Sequence, residues 1–240
     1  PNYEELFKYA GIRSSEVIFD VPYSEGYQVT NLAYRLGDRM YGTWATNVPS
    51  QALIDSYQTI DGLHIDESPL YDPANPFKNR DPRLDASIIR PQSSFAGFIY
   101  ETHPDSLETL NIDSNQRVEN LNVTNPFASF TGYNFRKYLD AEDFPDSFDK
   151  SEINWIYIRL AEVLLIYAEA KIENNDIDQS VLDALNSVRA RAYGVELSET
   201  HLYPAITTVD RDELRREVRY ERKIELAMEG FRLFDIRRWG

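Results

Sequence analysis

Two glutamates near the end of the chain, Glu221 and Glu225, have the spacing of a chemical site. They lie four residues apart in RYERKIELAMEG, on the helical stripe that also carries Leu214, Val218 and Met228. A stripe that faces a core is normally apolar, so two carboxylates there need an explanation. Paired carboxylates carry out the chemistry of glycosidases when the pKa of one of them is raised so that it acts as the acid.

Arginine provides the competing explanation for these glutamates. Arg159 and Glu162 lie on another segment that the sequence predicts to be buried, and six more arginines surround the glutamates in sequence. Guanidinium groups bind carboxylates through two hydrogen bonds and lower their pKa, whereas an acid catalyst needs a raised one. We therefore predict a structural guanidinium–carboxylate network and no catalytic residue. The six arginines are Arg215, Arg219, Arg222, Arg232, Arg237 and Arg238.

Metal and cofactor chemistry has little support in the sequence. His64, His103 and His201 are far apart and lack metal-ligand spacing. Residues 113–117 and 174–178 alternate polar side chains as a calcium loop does at its start, but both lack the later glycine and glutamate of an EF-hand. We expect turns and helix caps there, and no cofactor. A structural calcium elsewhere in the chain stays open.

Composition restricts the class of protein. The chain of 240 residues has a formal net charge of -15, so a nucleic-acid partner is not expected. A hydrophobic content of 42% excludes a disordered chain, while the longest apolar run, residues 163–168, is too short to cross a bilayer. Cysteine is absent, which removes disulfides and thiolate nucleophiles.

The predicted secondary structure, which must position any site, differs between the first and the later part of the chain. Pro, Gly, Asn and Asp interrupt residues 1–150 so often that only short elements are predicted, with strands near 15–23 and 87–90 and a short helix in 49–62. From Trp155 the pattern becomes helical. We predict a helix from there to about residue 173 that is buried on nearly every face.

Two further helices are predicted after this one. The first covers residues 180–193 and ends at Gly194. The second begins at a capping box formed by Asp210 and Glu213, continues to about Glu229 and ends at Gly230. Short connections between the three helices favour an antiparallel helical array.

Several motifs resemble those of the SusD/RagB family. They are YIRLAEVLLIYAEA, LNSVRARAYG and the ending REVRYERKIELAMEGFRLFDIRRWG, preceded by PSQALIDSYQTIDG and NRDPRL, in the family's order and spacing. The resemblance covers the whole chain and is most specific over residues 151–240. It implies a mostly α fold, a tetratricopeptide-like α/α superhelix of helical hairpins with long irregular loops and a few short strands.

The resemblance also implies a domain organisation. We expect one SusD-like domain over residues 1–240, incomplete at both ends, with a loop-rich ligand-binding part in 1–150 and a helical scaffold in 151–240. Family members carry an N-terminal lipidated cysteine, earlier helical repeats and a stretch after RWG that this sequence lacks. If the earlier repeats cover residues 155–173, this segment by itself exposes an apolar face and is prone to association.

The implied function is nutrient capture without catalysis. Family members are outer-membrane, surface-exposed lipoproteins of Bacteroidetes that bind glycans and deliver them to a TonB-dependent, SusC-like porin. The resemblance therefore implies an oligosaccharide ligand, starch-like or of another polysaccharide, a porin partner and a membrane lipid anchor outside this chain. Two alternatives stay open, a peptide-binding member of the same family and, from the carboxylates alone, a glycoside hydrolase.

Aromatic side chains are the most promising binding groups. The chain has 16 Tyr, 12 Phe and 3 Trp, and sugar sites combine a flat ring with polar donors. Trp155 and Trp239 belong to motifs expected in the core, whereas Trp44 lies in a Gly-rich polar stretch. The predicted ligand-binding residues are Trp44 with Tyr41, Arg39 and Asn47, and a second cluster of Tyr23, Tyr27 and Tyr34. The alternative for each ring is that it packs loops onto helices.

Overall fold

The structure is a computed structural model that describes residues 2–240. Its regular elements are mainly α-helices, and the longest of them lie in the last third of the chain. The helices are α1 Leu32–Leu36, α2 Gln51–Ser56, α3 Arg83–Ser87, α4 Leu121–Thr124, α5 Leu160–Glu173, α6 Gln179–Ala192, α7 Arg211–Glu225 and α8 Arg232–Trp239. Long irregular loops join the shorter helices, as predicted.

The strands are short and form three small antiparallel sheets. β1 Val17–Val21 pairs with β8 Trp155–Arg159, and β2 Ile88–Ile89 pairs with β7 Asn134–Phe135. The third sheet has four strands in chain order, β3 Ser94–Phe95, β4 Phe98–Ile99, β5 Glu108–Asn111 and β6 Gln116–Glu119. The predicted strands at 15–23 and 87–90 are thus present in shorter form.

The start of the central helix differs from the prediction. Residues Trp155–Arg159 form strand β8, and helix α5 begins only at Leu160. The aromatic and β-branched side chains of this stretch favour extended backbone, and β1 supplies the partner strand, with Val21 opposite Trp155. A long-range pairing therefore overrides the local helical pattern.

The helix ends follow their caps. The Asp210 carboxylate accepts hydrogen bonds from the backbone amides of Asp212 and Glu213, which starts α7. The reciprocal half of the predicted capping box is absent within residues 2–240, since the Glu213 carboxylate accepts instead from the Thr208 hydroxyl. α7 ends at Glu225, before the predicted residue, and the turn that follows includes Met228 with a left-handed φ of 70°.

The core has three apolar clusters, of which the second and third join the loop-rich and helical parts. One lies among α5, α6 and α7 and includes Leu165, Leu185 and Val218. A second lies under the loops, and Ile224 of α7 closes it. The third packs the N-terminal segment onto Ile156 of β8. Helix α7 therefore belongs to the cores of both parts of the chain.

One face of α5 is exposed, contrary to the prediction of burial on nearly every face. Its apolar residues Leu160, Val163, Ile166 and Tyr167 all remain largely accessible to solvent. The opposite face, with Leu165 and Ala168, packs onto the neighbouring helices. Within residues 2–240, no helix combines the length and apolar content needed to cross a lipid bilayer.

Candidate functional site

Glu221 is sealed in the core between two arginines. Its Oε2 accepts from Arg83 Nη1 at 2.9 Å, and its Oε1 accepts from Arg189 Nε at 2.5 Å. Arg83 is itself held by the Asp81 carboxylate at 2.6 Å. Both oxygens of Glu221 are therefore occupied by guanidinium donors.

Glu225 is the centre of a larger network. Its Oε1 accepts from Arg159 Nη1 at 2.6 Å and from Arg191 Nη2 at 2.5 Å, while its Oε2 lies 3.2 Å from Arg83 Nη1. Arg159 also reaches Glu229, whose Oε1 accepts from Lys137 Nζ at 2.6 Å. The network thus links the N-terminal half of the chain to one end of the helical array, where α5 begins and α6 and α7 end.

These contacts decide the chemistry of the two glutamates. Burial acts to raise the pKa of Glu221, but the charges of Arg83 and Arg189 outweigh it and hold the pKa below its ordinary value. Burial likewise acts against ionised Glu225, and its arginine neighbours lower its pKa strongly. Neither carboxyl group can supply a proton near neutral pH, so the pair is not an acid–base apparatus.

The network was predicted, and Arg159 takes part in it as expected, but its other arginines were not predicted. Among residues 2–240, none of the six nearby arginines forms an ion pair with Glu221 or Glu225. Arg222 and Arg238 bind Asp235, and Arg215 binds Glu173. The partners Arg83 and Arg189 come from α3 and α6, and Glu162 lies outside the network.

Trp44 heads a row of aromatic rings on the loop-rich part of the molecule. Its side chain is 54% exposed, and its ring centroid lies 5.6 Å from that of Tyr34. Tyr34 stacks on Phe148 at 5.7 Å, and Phe148 stacks on Phe144 at 6.0 Å. Phe144 in turn contacts Tyr41 at 5.1 Å. We call the exposed end of this row, Trp44, Tyr34 and Phe148, the aromatic platform.

The loop that carries Trp44 is fixed by backbone hydrogen bonds. The Trp44 amide donates to the Tyr34 carbonyl at 2.8 Å, and the Ala45 amide donates to the Gly37 carbonyl at 3.2 Å. A Cβ at Gly37 would lie 3.2 Å from the Phe144 ring and 2.9 Å from the Thr43 hydroxyl. Glycine therefore allows this loop and the aromatic row to approach closely.

Asp38 is buried beneath the same loop. Its carboxylate accepts a hydrogen bond from the Met40 amide at 3.0 Å, which caps the turn of residues 39–41. Burial raises the pKa of Asp38 to about 6, and the hydrogen bonds to the carboxylate only partly oppose this effect. The loop of Trp44 is thus supported by a buried carboxyl group whose pKa is well above its ordinary value.

The other predicted residues near Trp44 differ in how far their side chains are already engaged within the protein. The Arg39 guanidinium donates to the Thr43 carbonyl, and its amide donates to Asn122 at 2.8 Å. The Tyr41 hydroxyl donates to the Ala96 carbonyl at 2.6 Å, so that ring is largely committed to packing. Asn47 is exposed beside Trp44 in sequence.

The second predicted cluster is divided in the structure. Tyr34 joins Trp44 in the platform. Tyr27 lies in the turn of residues 24–28 and is 96% exposed. Tyr23 lines a depression of about 480 Å³ that also involves Asn154. Phe148 and Phe144 were missed because they lie in an acidic segment, although their spacing of four residues was visible.

The remaining tryptophans are half-buried. Trp155 stacks on Tyr138 with ring centroids 4.4 Å apart. The Trp239 indole donates to the Glu169 carboxylate at 2.6 Å. Both rings are committed to packing and hydrogen bonding, which leaves Trp44 as the more accessible indole.

The two stretches that resemble calcium loops have ordinary structural roles. Asp113 and Asn115 lie in the turn between β5 and β6. Asp178 caps α6 and binds Lys171 at 2.6 Å. Within residues 2–240, no three acidic or histidine side chains are arranged to hold a metal ion.

Comparison with known proteins decides the family. The sequence model described as the SusD family matches residues 7–240. The chain belongs to the SusD family. A SusD-like carbohydrate-binding protein of Bacteroides fragilis is 37% identical over the whole chain, with a TM-score of 0.82. A second SusD-like protein of the same species is 28% identical over 99% of the chain, with a TM-score of 0.69.

The similarity extends to a marine relative but covers only part of each protein. SusD-like protein P2 of Formosa agariphila is 40% identical over 91 residues, which are 37% of this chain and 17% of that protein. The chain spans 44% and 46% of the two solved SusD-like structures. The family and the fold predicted from the sequence motifs are thereby confirmed.

Proposed function

We propose that this chain is part of a cell-surface protein that binds an oligosaccharide and does not cleave it. The observation that carries the proposal is the aromatic platform, in which an exposed Trp44 is backed by Tyr34 and Phe148. An indole face binds the apolar C–H face of a sugar ring, while polar groups such as Asn47 bind its hydroxyl rim. The relative that is described as carbohydrate-binding supports the same ligand class.

The electrostatics of the conspicuous carboxyl groups supports a role without catalysis. Hydrolysis of a glycosidic bond needs two carboxyl groups that face an open cleft, one of them with a raised pKa. Glu221 and Glu225 are buried and have lowered pKa values. Asp38 has a raised pKa but is enclosed beneath its loop. We therefore infer capture as the function.

The cellular role that we propose follows from the family. The bound oligosaccharide would be delivered to a TonB-dependent, SusC-like porin at the outer membrane. A lipid anchor outside this chain would hold the protein on the cell surface. The net charge of -15 also makes a nucleic-acid partner unfavourable.

Isothermal titration of the full-length protein against plant, host and microbial oligosaccharides tests the proposal. Trp44→Ala is compared with Tyr157→Ala, because Tyr157 is 53% exposed on strand β8 and lies outside the platform. We expect one glycan to bind, and to bind Trp44→Ala about tenfold more weakly, because an aromatic contact contributes ~1.4 kcal/mol. Tyr157→Ala should bind it as the unmodified protein does.

Two results would contradict the proposal. Binding of peptides without any glycan would assign the protein to the peptide-binding alternative. Release of shorter sugars during the titration, detected by chromatography, would support the hydrolase alternative. Co-purification with a TonB-dependent porin from membranes tests the delivery step separately.

A further inference from the structure

A second surface site lies at the end of the β1–β8 ribbon. A depression of about 480 Å³ is bordered by the loop of residues 12–14, strand β1 and the segment before β8. Its lining combines one half-buried aromatic ring, Tyr23, with Ser14 and four larger polar or charged side chains. They are Arg13, Asp20, Glu152 and Asn154.

The polar groups in this depression keep free hydrogen-bonding capacity. Within residues 2–240, the Arg13 guanidinium and the Tyr23 hydroxyl make no hydrogen bond, and the Tyr23 ring contacts no other aromatic ring. Asp20 uses only Oδ2, which accepts from Asn154 at 2.7 Å, and Glu152 uses only Oε1. The site thus offers the ring of Tyr23, the hydrogen-bond donors of the Arg13 guanidinium and one free carboxylate oxygen each from Asp20 and Glu152.

The depression is supported by rigid elements. Asn154 accepts a hydrogen bond from the Tyr23 amide and donates to Asp20, so it ties both walls together. The ribbon continues from this point, with Asp20 opposite Ile156 and Val21 opposite Trp155. Side chains held in this way lose less conformational entropy when a ligand binds.

The charges favour an uncharged ligand. Arg13 contributes one positive charge, whereas Asp20 and Glu152 contribute two negative charges. A uronate or sulfated sugar would meet this excess of negative charge and the net charge of -15 of the chain. Neutral sugar hydroxyls can instead donate to the carboxylates and accept from the guanidinium group.

The depression is close to the aromatic platform. Phe148 belongs to the platform and Glu152 to the depression. Their Cα atoms are at most ~14 Å apart, because each residue spans no more than ~3.6 Å of extended chain. This separation is within the length of a short oligosaccharide.

We propose that the Tyr23 depression is a second subsite for a neutral saccharide and that one oligosaccharide engages both it and the platform. The inference rests on the proposed glycan-binding function. Two linked contacts raise affinity because the second binds at a high effective concentration. Loss of either contact should weaken the complex without abolishing it.

The test is isothermal titration of the full-length protein with neutral hexasaccharides of glucose, xylose and mannose, and with a galacturonate hexasaccharide. The variants are Tyr23→Ala, Arg13→Gln and Trp44→Ala, with Tyr157→Ala as the matched control. Arg13 is exposed, so Arg13→Gln reports on binding even if Tyr23→Ala disturbs the loop. We expect Tyr23→Ala and Arg13→Gln each to weaken one neutral hexasaccharide about tenfold.

The outcomes separate this inference from the proposed function. If Trp44→Ala weakens binding while Tyr23→Ala and Arg13→Gln bind like the unmodified protein, the second subsite is refuted and the proposed function stands. Binding of galacturonate that depends on Tyr23 would overturn the neutral ligand class. If no neutral hexasaccharide binds to the unmodified protein, the second subsite is refuted, whereas the proposed function is refuted only when the wider panel of plant, host and microbial oligosaccharides also fails to bind.

Discussion

Arg159 and Glu225 form an ion pair of 2.6 Å in which both side chains are sealed from solvent, with 1% and 0% of their surfaces exposed. The pair joins the end of strand β8 to the end of helix α7. A buried charge is tolerated only when its partners remain in place, because desolvation otherwise costs several kcal/mol. The role of Glu225 in this pair is therefore structural.

Arg159→Ala should destabilise the protein severely. It leaves Glu225 and Glu229 short of a guanidinium partner in the core, which typically costs about 3–5 kcal/mol. The midpoint of urea unfolding measures the loss. Arg215→Ala, which removes an exposed pair with Glu173, is the control and should leave the midpoint nearly unchanged. Equal midpoints for the two variants would contradict the structural role of the network.

The same network predicts loss of stability in acid. The pKa values of Glu221, Glu225 and Glu229 lie below their ordinary value of 4.5 in the folded protein. Their contribution to the free energy of unfolding is therefore complete above about pH 4.5 and falls as the pH drops through the folded pKa values. Urea midpoints measured from neutral pH downward should decrease below that point. Glu221→Gln should lower the midpoint near neutral pH and reduce its further decrease in acid.

Asp38 has the opposite pH dependence. Its pKa rises from 3.8 to about 6 on folding, so the folded state binds the extra proton and stability decreases as the pH rises through this interval. Asp38→Asn keeps a capping oxygen without the charge. The variant should be about 1–3 kcal/mol more stable near neutral pH, since each pKa unit corresponds to ~1.4 kcal/mol, and nearly equal at pH ~4. A variant that is less stable than the parent at neutral pH would show that the buried charge is favourable.

Gly37→Ala should disturb the aromatic platform. The added Cβ would lie 2.8 Å from the Ala33 carbonyl and 3.2 Å from the Phe144 ring, so the loop or the ring must move. We expect a loss of about 1–3 kcal/mol and a changed near-ultraviolet circular dichroism spectrum. Gly194→Ala is the control, because its Cβ would meet open space although its φ is +70°. That variant should lose stability and keep the aromatic spectrum.

The exposed face of α5 predicts association of the 240-residue chain. Val163 and Ile166 are half exposed on this face, and contiguous apolar surface drives self-association. Val163→Glu combined with Ile166→Glu should reduce concentration-dependent light scattering. The control for net charge is Thr200→Glu combined with Thr207→Glu, because both threonines are exposed. This variant should scatter light nearly as the unmodified protein does. The prediction is refuted if the unmodified chain, the Val163/Ile166 variant and the threonine control all scatter light equally weakly.

The sequence by itself determined the features that depend on neighbouring residues. Helix α6 and the start of α7 followed from apolar spacing and from Asp178 and Asp210 as caps, and Gly194 ended α6 as expected. These signals act within one helical turn, so the sequence contains both partners. The family followed from motifs that combine many such local signals. The need for arginine beside Glu221 and Glu225 was also readable, because two carboxylates cannot be buried without compensation.

Only the tertiary structure decided which distant groups meet. Arg83 reaches Glu221 from 138 residues away, and residues Trp155–Arg159 became a strand because β1 lies beside them. Phe148 joined Trp44 and Tyr34 through the path of two loops. Such contacts depend on the tertiary packing of the whole chain. The relative positions of loops cannot be read from a single sequence. The scaffold was therefore readable from local patterns, while the candidate sites came from long-range packing.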